Sequence, residues 1–219
     1  MARLDDRLTP YLEDLKRRDG LRTLAPGVPE SAARIVRGER RLINFSSNDY
    51  LDLAHHPDLI LRAVEWTERW GAGSGASRLV TGTHDSHQAV EEKLARLKGT
   101  EAALIFNSGY QANAAVLPAL FDKGMLGGEP RIFTDRLIHA SLHHGCVGAR
   151  QIRFRHNDLD HLDFLLDKHA GPDNRPFIIT ESVFSMDGDR ADLAALCDLA
   201  DRRGAFLYVD EAHATGVLG

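Results

Sequence analysis

The amino-acid sequence predicts an α/β fold, with a mostly parallel sheet that carries helices on both faces. From residue 102 onward, apolar runs of strand length alternate with amphipathic stretches of helix length, and the connections between them are short. This alternation is typical of a parallel sheet that is covered on both sides. The 219 residues are 43% hydrophobic and 27% charged, a globular composition that suffices for one large core or for a domain and part of another.

The part of the chain before residue 102 predicts three helices and one short strand. Leucines recur about once per helical turn near the N-terminus, which indicates an amphipathic helix. The predicted elements are a helix over residues 3–19, a linker over 20–29, a strand over 42–45, a helix from Pro57, and a helix from Asp85 or Ser86 to Gly99. We therefore divide the chain into an N-terminal helix and linker segment, residues 1–43, and a large domain, residues 44–219.

The part after residue 102 predicts the sheet itself. Each strand is a short apolar run, and each helix has its apolar residues on one face. The predicted strands cover residues 102–106, 131–134, 151–154, 176–180 and 205–209. The predicted helices between them cover residues 111–120, 138–147, 159–168 and 192–203.

Composition and charge argue against several classes of protein. The net charge of -5 and the pI near 6.1 do not fit a nucleic-acid-binding surface, which needs a basic stripe. No apolar run approaches the ~18 residues of a membrane span, and the N-terminus lacks the apolar core of a secretory signal. Two cysteines without a CxxC pair argue against a disulfide scaffold, so we expect a cytoplasmic protein.

Segments that follow the predicted strands are the first place to look for a site, because ligands of such sheets bind at the carboxyl ends of the strands. One segment reads Asn107-Ser108-Gly109-Tyr110, between an apolar run and a helix. A glycine there permits a tight turn, and the free amides and dipole of a helix N-terminus favour a phosphate. The alternative is an ordinary turn with Ser108 as the helix cap.

Asp210 and His213 lie in another such segment, FLYVDEAHATG, directly after an apolar run. A carboxylate at the buried end of a central strand is costly unless a cation partners it, and no lysine or arginine is close in sequence. A protonated heteroaromatic nitrogen would serve, as in pyridoxal enzymes. The alternatives are a helix cap and a metal ligand. We expect no metal, because His143, His144 and Cys146 share one helix without a second cluster of ligands.

Two further polar residues follow predicted strands. His139 opens a helix, where an imidazole can stack on an aromatic cofactor ring or simply be solvated. Ser185 lies in the loop FSMDGD, where its hydroxyl can donate to a ring substituent or belong to a turn built on Asp187 and Gly188. A nucleotide site is not indicated, because the string GAGSGAS follows a helix rather than a strand and no P-loop motif occurs.

Together these segments resemble the α-oxoamine synthase family of fold-type I pyridoxal-phosphate enzymes. The matching strings occur in family order, and the similarity extends from about Leu12 to the last residue. They are NFSSNDYL (44–51), GSGASRLVTGTHDSHQAVEEKLARLKGTEAALIFNSGYQAN (73–113), HASL (139–142), RHND (155–158), TESVFSMDGD (180–189) and VDEAHATGVLG (209–219). No single string is decisive, but the ordered set is highly specific.

The resemblance assigns six residues to the cofactor, pyridoxal 5'-phosphate (PLP), and one of them, His139, would also contact substrate. It implies that the backbone amides of Gly109 and Tyr110 hold the phosphate. Ser185 and His213 would hydrogen-bond the phenolic oxygen, and Asp210 would pair with the ring nitrogen. Asp210 and His213 would therefore be catalytic.

Four residues would contact substrate in the same resemblance. His139 would stack on the pyridine ring, contact substrate and be catalytic. Arg22 aligns with the arginine that holds a substrate carboxylate, and Asn48 and Glu181 would complete the substrate site.

The implied reaction condenses L-alanine with pimeloyl-CoA, or with a pimeloyl carrier-protein thioester, in biotin synthesis. Asp210 would keep the ring nitrogen protonated, so that the cofactor acts as an electron sink. The implied assembly is a homodimer without a nucleic-acid or membrane partner. The alternatives are a sister activity, such as glycine C-acetyltransferase or serine palmitoyltransferase, a non-catalytic partner subunit, and a plain nucleotide-binding α/β domain.

The sequence departs from the family pattern in two places. Asp52 stands where the family has the glycine of NDYLGL, which puts the local backbone geometry in doubt. The lysine that carries the cofactor is expected shortly after DEAHATG, and the five lysines of this chain lie elsewhere: Lys16, Lys93, Lys98, Lys123 and Lys168. We therefore expect an incomplete large domain without its C-terminal small domain, and a chain that is inactive as a condensing enzyme.

Overall fold

A computed structural model describes residues 3–218 and divides the chain into two compact units, Met1–Glu68 and Arg69–Gly219. The elements of the N-terminal unit are α1 (Leu4–Arg17), β1 (Val28–Ser31), β2 (Arg34–Arg37), β3 (Arg40–Ile43) and all but the last two residues of α2 (Pro57–Trp70). The three strands form an antiparallel sheet in the order β1-β2-β3. The division of the chain at residues 43 and 44 stays a prediction.

The C-terminal unit holds a four-stranded parallel sheet. Its elements are α3 (Asp85–Lys98), α4 (Gly109–Leu120), α5 (Lys123–Leu126), β4 (Glu129–Asp135), α6 (Ala140–Gly145), β5 (Gln151–Phe154), α7 (Leu159–His169), β6 (Asn174–Glu181), α8 (Leu193–Arg203) and β7 (Phe206–Asp210). The strand order is β5-β4-β6-β7, and every neighbouring pair is parallel.

Helices cover both faces of this sheet. Successive strand residues point to opposite sides, and apolar side chains on both sides pack against helices. On one face, Phe133 and Ile178 pack in a buried cluster with side chains of α7 and α8. On the other face, Ile132 and Ile179 pack in a second buried cluster with Leu117 of α4 and with α6. The predicted fold class is confirmed.

Local signals begin and end the helices of this unit. The side chains of Ser108, Asp158 and Asp192 accept hydrogen bonds from backbone amides in the first turns of α4, α7 and α8. Gly99 and Gly204 follow α3 and α8 with φ of 64° and 60°, a left-handed conformation that glycine adopts without steric cost.

The strand predicted over residues 102–106 is wrong, since this segment has no regular secondary structure and belongs to neither of the described sheets. Its backbone is bound by side chains instead. Glu91 Oε1 accepts from the Ile105 amide at 2.9 Å, and Arg78 Nη1 lies 3.4 Å from the Ile105 carbonyl. Because these two side chains already bind the backbone of Ile105, this part of the segment needs no neighbouring strand for its hydrogen bonds.

Asp52, which stands where the family has glycine, has a left-handed backbone conformation. Its φ is 53°, and Asp52 Oδ1 accepts a hydrogen bond from the Ala32 amide at 2.7 Å. Aspartate is among the few non-glycine residues that visit this conformation, so it can occupy this position where the family has glycine.

Candidate functional site

The strand order of the parallel sheet reverses between β4 and β6. The chain leaves β4 through α6 to β5 on one side, and it leaves β6 through α8 to β7 on the other side. Ligands of open α/β sheets bind in the crevice that such a reversal opens at the carboxyl ends of the strands. His139 follows β4, Glu181 ends β6, and Asp210 ends β7 beside it.

Asn113, which the sequence did not single out, links the ends of these strands. Its side chain is 5% exposed. Its Nδ2 donates to Asp210 Oδ2 at 2.8 Å and to Ser141 Oγ at 2.9 Å. Its Oδ1 accepts from the Tyr208 hydroxyl at 2.8 Å. A buried amide on α4 therefore holds the acid at the end of β7.

His139 is fixed by its backbone and by one ring nitrogen, while its ring stays exposed. Its amide donates to the carboxylate of Glu181. Its Nδ1 lies 2.7 Å from Ser141 Oγ, and its ring is edge-on to Tyr110 at 6.5 Å between centroids. Ser141 thus joins His139 to the hydrogen bonds of Asn113.

Glu181 is a buried acid beside two other acids. Burial raises its pKa to about 7, and the nearby carboxylates of Asp210 and Asp135 act in the same direction. The backbone amides of His139 and Ser185 donate to it and partly oppose the shift. Glu181 is therefore poised to gain or lose a proton near neutral pH.

The N-terminus of α4 presents backbone amides next to open space. The first amides of a helix have no partner within the helix, and Ser108 Oγ accepts from Gln111 N at 3.1 Å. A Cβ added to Gly109 would meet no atom within 4 Å, and its φ is not in the left-handed region. Neither the φ of Gly109 nor its surroundings requires a glycine for the turn. What the glycine leaves here is room at a helix terminus that favours an anion.

Ser185 is exposed in a tight hairpin that follows β6. A bridge between Val183 and Arg190 closes the hairpin. The Ser182 amide donates to the Asp210 carbonyl at 2.9 Å, which attaches the hairpin to the end of β7. His213 is half-buried in the turn after β7. Ser185 and His213 therefore lie on the segments that continue from β6 and β7.

A second polar cluster, also not singled out from the sequence, anchors the other side of the hairpin. His156 Nδ1 lies 2.9 Å from Oδ1 of the fully buried Asp135, and its Nε2 lies 2.7 Å from Asp189 Oδ2. Burial alone would lower the pKa of His156, but the hydrogen bonds to both carboxylates raise it. The string RHND carried this signal, without showing which acids the imidazole would meet.

Arg22 and Asn48 belong to the N-terminal unit, and both are exposed there. Arg22 lies in the extended segment before β1, and Asn48 lies in the loop between β3 and α2. Their part in a substrate site stays a prediction.

Within residues 3–218, no group of three or more histidine, cysteine or acidic side chains is arranged to hold a metal ion. In the same part of the chain, no helix has the length and apolarity that a membrane crossing requires.

Comparison with known proteins decides the family. Residues 40–219 match the family model described as aminotransferase class I and II. The chain belongs to this family. A member from Gluconacetobacter diazotrophicus, named 8-amino-7-oxononanoate synthase, is 60% identical over all of this chain and 56% of its own length. The chain spans about half the length of the curated relatives it matches.

Two solved structures of related enzymes show the same fold. Serine palmitoyltransferase from S. paucimobilis, with bound PLP–myriocin, superposes with a TM-score of 0.84 at 31% identity, over 98% of this chain and 55% of that chain. The 8-amino-7-oxononanoate synthase of Francisella tularensis superposes with a TM-score of 0.64 at 33% identity, over 80% of this chain and 46% of that chain. These matches confirm the family resemblance that the motifs indicated.

Proposed function

We propose that the protein uses PLP to condense L-alanine with pimeloyl-CoA, or with a pimeloyl carrier-protein thioester, to 8-amino-7-oxononanoate. The observation that carries the proposal is the state of Asp210. Its carboxylate is half-buried and accepts from Asn113 and from the Ala212 amide. Across residues 3–218 it forms no ion pair with a lysine, arginine or histidine. A protonated ring nitrogen is the partner that such a carboxylate lacks.

The other residues of the crevice fit the same cofactor. The open space at Gly109 and the helix amides of Gly109 and Tyr110 suit its phosphate. The exposed imidazole of His139 can stack on the ring, and Ser185 and His213 follow the two strands whose ends flank it. When bound, PLP supplies an electron sink for a carbanion at the amino-acid carbon.

The residues of this chain then bind, orient and hold protons. Asp210 keeps the proton on the ring nitrogen. Glu181 fixes the backbone of His139, so that the imidazole keeps its place against ring and substrate. Arg22, Asn48 and Glu181 complete the substrate site in this proposal, with Arg22 holding a carboxylate.

The identity of the relatives favours this reaction over its sister reactions. The relative from Gluconacetobacter diazotrophicus shares 60% of its residues with this chain, whereas the serine palmitoyltransferase shares 31%. The second candidate is condensation of L-serine with palmitoyl-CoA, which the TM-score of 0.84 to that enzyme favours. We further propose a homodimer, because enzymes of this fold type build their sites at a dimer interface. We also propose a cytoplasmic location, because the two cysteines form no CxxC pair.

The test compares substrates and one variant in the protein expressed from its complete reading frame. L-alanine with pimeloyl-CoA should react faster than L-serine with palmitoyl-CoA or glycine with acetyl-CoA. Asp210→Ala should lower kcat by about 10²-fold or more, since it removes an electrostatic partner of the reacting group. Asp201→Ala, at an exposed position on α8, is the control. Near-normal turnover of Asp210→Ala would refute the assignment, and a preference for serine would favour the second candidate.

We also propose that none of the five lysines in this chain attaches the cofactor. Lys98 is the one to examine, because its Nζ lies 2.7 Å from Glu211 Oε2, next to Asp210 in sequence. That ion pair occupies its ammonium group. Treating this 219-residue chain with PLP and borohydride should leave no lysine stoichiometrically modified, and we expect it to show no condensing activity. Full modification of Lys98, or of any other single lysine here, would contradict this.

A further inference from the structure

Asn113 is buried at the centre of the candidate site and has no role in the reaction proposed above. We propose that Asn113 is a positioning residue that orients the carboxylate of Asp210 toward the ring nitrogen of the cofactor. This inference rests on the proposed function, and it adds a residue of α4 to the site.

The chemistry of the partners determines which way the amide of Asn113 points. An ionised carboxylate only accepts hydrogen bonds, so the amide nitrogen must face Asp210. The amide oxygen then faces the Tyr208 hydroxyl, which donates to it at 2.8 Å. Tyr208 and Asp210 therefore hold opposite ends of the same amide, and the amide is not free to turn over.

Two donors together define the plane of the Asp210 carboxylate. Asn113 Nδ2 donates to Oδ2 at 2.8 Å, and the Ala212 amide donates to Oδ1 at 2.9 Å. Each carboxylate oxygen has a further lone pair, so an additional N–H can still be bound. Without Asn113, one oxygen loses its donor among the described residues, and the group can rotate.

Helix α4 places this donor on the side that faces the phosphate site. Gly109 and Asn113 are four residues apart, so they lie one above the other on one helix face. The backbone of Asn113 packs closely against α6, since a Cβ added at Gly145 would overlap the Asn113 carbonyl oxygen. One helix thus carries both the amides for the phosphate and the donor for the acid.

The experiment separates a role toward the ring nitrogen from a role in packing. The binding of PLP is compared with the binding of its analogue that has C–H in place of the ring nitrogen. Fluorescence titration of this chain gives the dissociation constants for the wild type and for Asn113→Leu, a side chain of similar volume without a donor. The wild type should prefer PLP over the analogue by about tenfold or more, as expected for a hydrogen bond to a charged group.

Asn113→Leu should lose most of this preference, with PLP bound about tenfold more weakly and the analogue bound as in the wild type. Ser141→Ala is the matched control, because it removes another contact of Asn113 and none of Asp210. It also removes a contact of the His139 ring, which should weaken PLP and the analogue alike, so the preference should remain. Tyr208→Phe should lower the preference by a smaller factor, and because it removes one oxygen atom only, it replaces Asn113→Leu if that variant does not fold.

Each outcome bears on the proposal. An unchanged preference in a folded Asn113→Leu, or in Tyr208→Phe where it replaces that variant, would overturn the positioning role and leave the proposed function intact. A wild type that binds both compounds equally, or neither, would overturn the pairing of Asp210 with the ring nitrogen and the positioning role with it. Equal weakening of both compounds in Asn113→Leu would show a packing role only, which also overturns the inference.

Discussion

The two units bury their apolar side chains to very different extents. In the N-terminal unit, neither α1 nor α2 has a buried residue, and Leu61 of α2 is 57% exposed. In the C-terminal unit, Phe133 and Ile178 are fully buried between helix and sheet. Both units have amphipathic helices in their sequences, and within residues 3–218 the parallel sheet buries the apolar faces of α7 and α8.

This difference shows that an amphipathic pattern tells which face of a helix is apolar, but not whether that face is buried. Helices of about 12–15 residues are marginal in water without tertiary packing, and α1 and α2 have 14 residues each. The pairs on their surfaces, such as Arg62 with Glu65 at 2.7 Å, each contribute only a few tenths of a kcal/mol. The stability of the described chain therefore lies mainly in the C-terminal unit.

The largest effect should come from a direct test of this contrast. Phe133→Ala removes a fully buried ring and should lower the free energy of unfolding by about 3–5 kcal/mol. Leu61→Ala, at an exposed position, should lower it by less than about 1 kcal/mol. Urea denaturation of both variants provides the measurement. Equal losses would mean that Leu61 is as well packed as the core.

The next effect concerns pH and the buried acid Glu181. Its pKa is raised from 4.5 to about 7, so between these values the folded chain keeps a proton that the unfolded chain releases. The free energy of unfolding should therefore fall as pH rises from about 4.5 to 7, by up to about 3 kcal/mol, and then level off.

Glu181→Gln keeps an acceptor for the His139 amide and removes the titrating group, so it should abolish this fall. Denaturation at pH 5 and pH 8 measures the difference. Glu101→Gln, at an exposed position of the same unit, should retain the dependence of the wild type. A Glu181→Gln variant that still loses the same stability would assign the effect to another group.

A smaller effect is expected where α4 and α6 touch within the core. A methyl group on Gly145 would overlap the Asn113 carbonyl oxygen and lie 2.9 Å from Leu117 Cδ1. Gly145→Ala should therefore cost about 1–3 kcal/mol of stability. Gly73→Ala is the control, since nothing lies within 4 Å of a Cβ there. Equal melting temperatures for the two variants would show that the helices separate freely.

The smallest effect belongs to the N-terminal unit. Asp52→Gly should change stability by less than about 0.5 kcal/mol, because relief of the left-handed backbone offsets the lost hydrogen bond to Ala32. Asp52→Ala loses the hydrogen bond and keeps the strain of the left-handed backbone, so it should cost about 1–2 kcal/mol of stability. Hydrogen exchange at the Ala32 amide provides the local readout. A large loss in Asp52→Gly would show that the bond outweighs the backbone strain.

The helical repeat predicted most helices, because each has its apolar residues on one face. Continuous apolar runs predicted the four parallel strands, because both faces of the sheet are covered. The strand prediction over residues 102–106 was wrong because an apolar run resembles a buried strand. Nothing in that run shows that Glu91 and Arg78 will bind its backbone. The strands β1 and β2 were missed because Pro29 and the arginines of β2 interrupt any apolar run.

The residues of the candidate site that local sequence patterns mark were predicted, and those that depend on distant contacts were missed. Asp210 and His139 were found from the sequence because each follows an apolar run at a strand end. Asn113 was missed because its partner Asp210 is 97 residues away, and its helix offers no local sign of that contact. The contacts of His156 with Asp135 and Asp189 were missed for the same reason, since these acids are 21 and 33 residues away in sequence.

The order of strands in the sheet has a consequence for how the chain folds. β4 pairs with β5 on one side and with β6 on the other, but β6 follows only after β5 and α7 have been made. During synthesis, β4 therefore has one edge unpaired until β6 has been made. Such long-range parallel pairing is slow and leaves intermediates prone to aggregation. We expect recovery of folded protein to improve at lower temperature or with chaperones that shield β4 until β6 arrives.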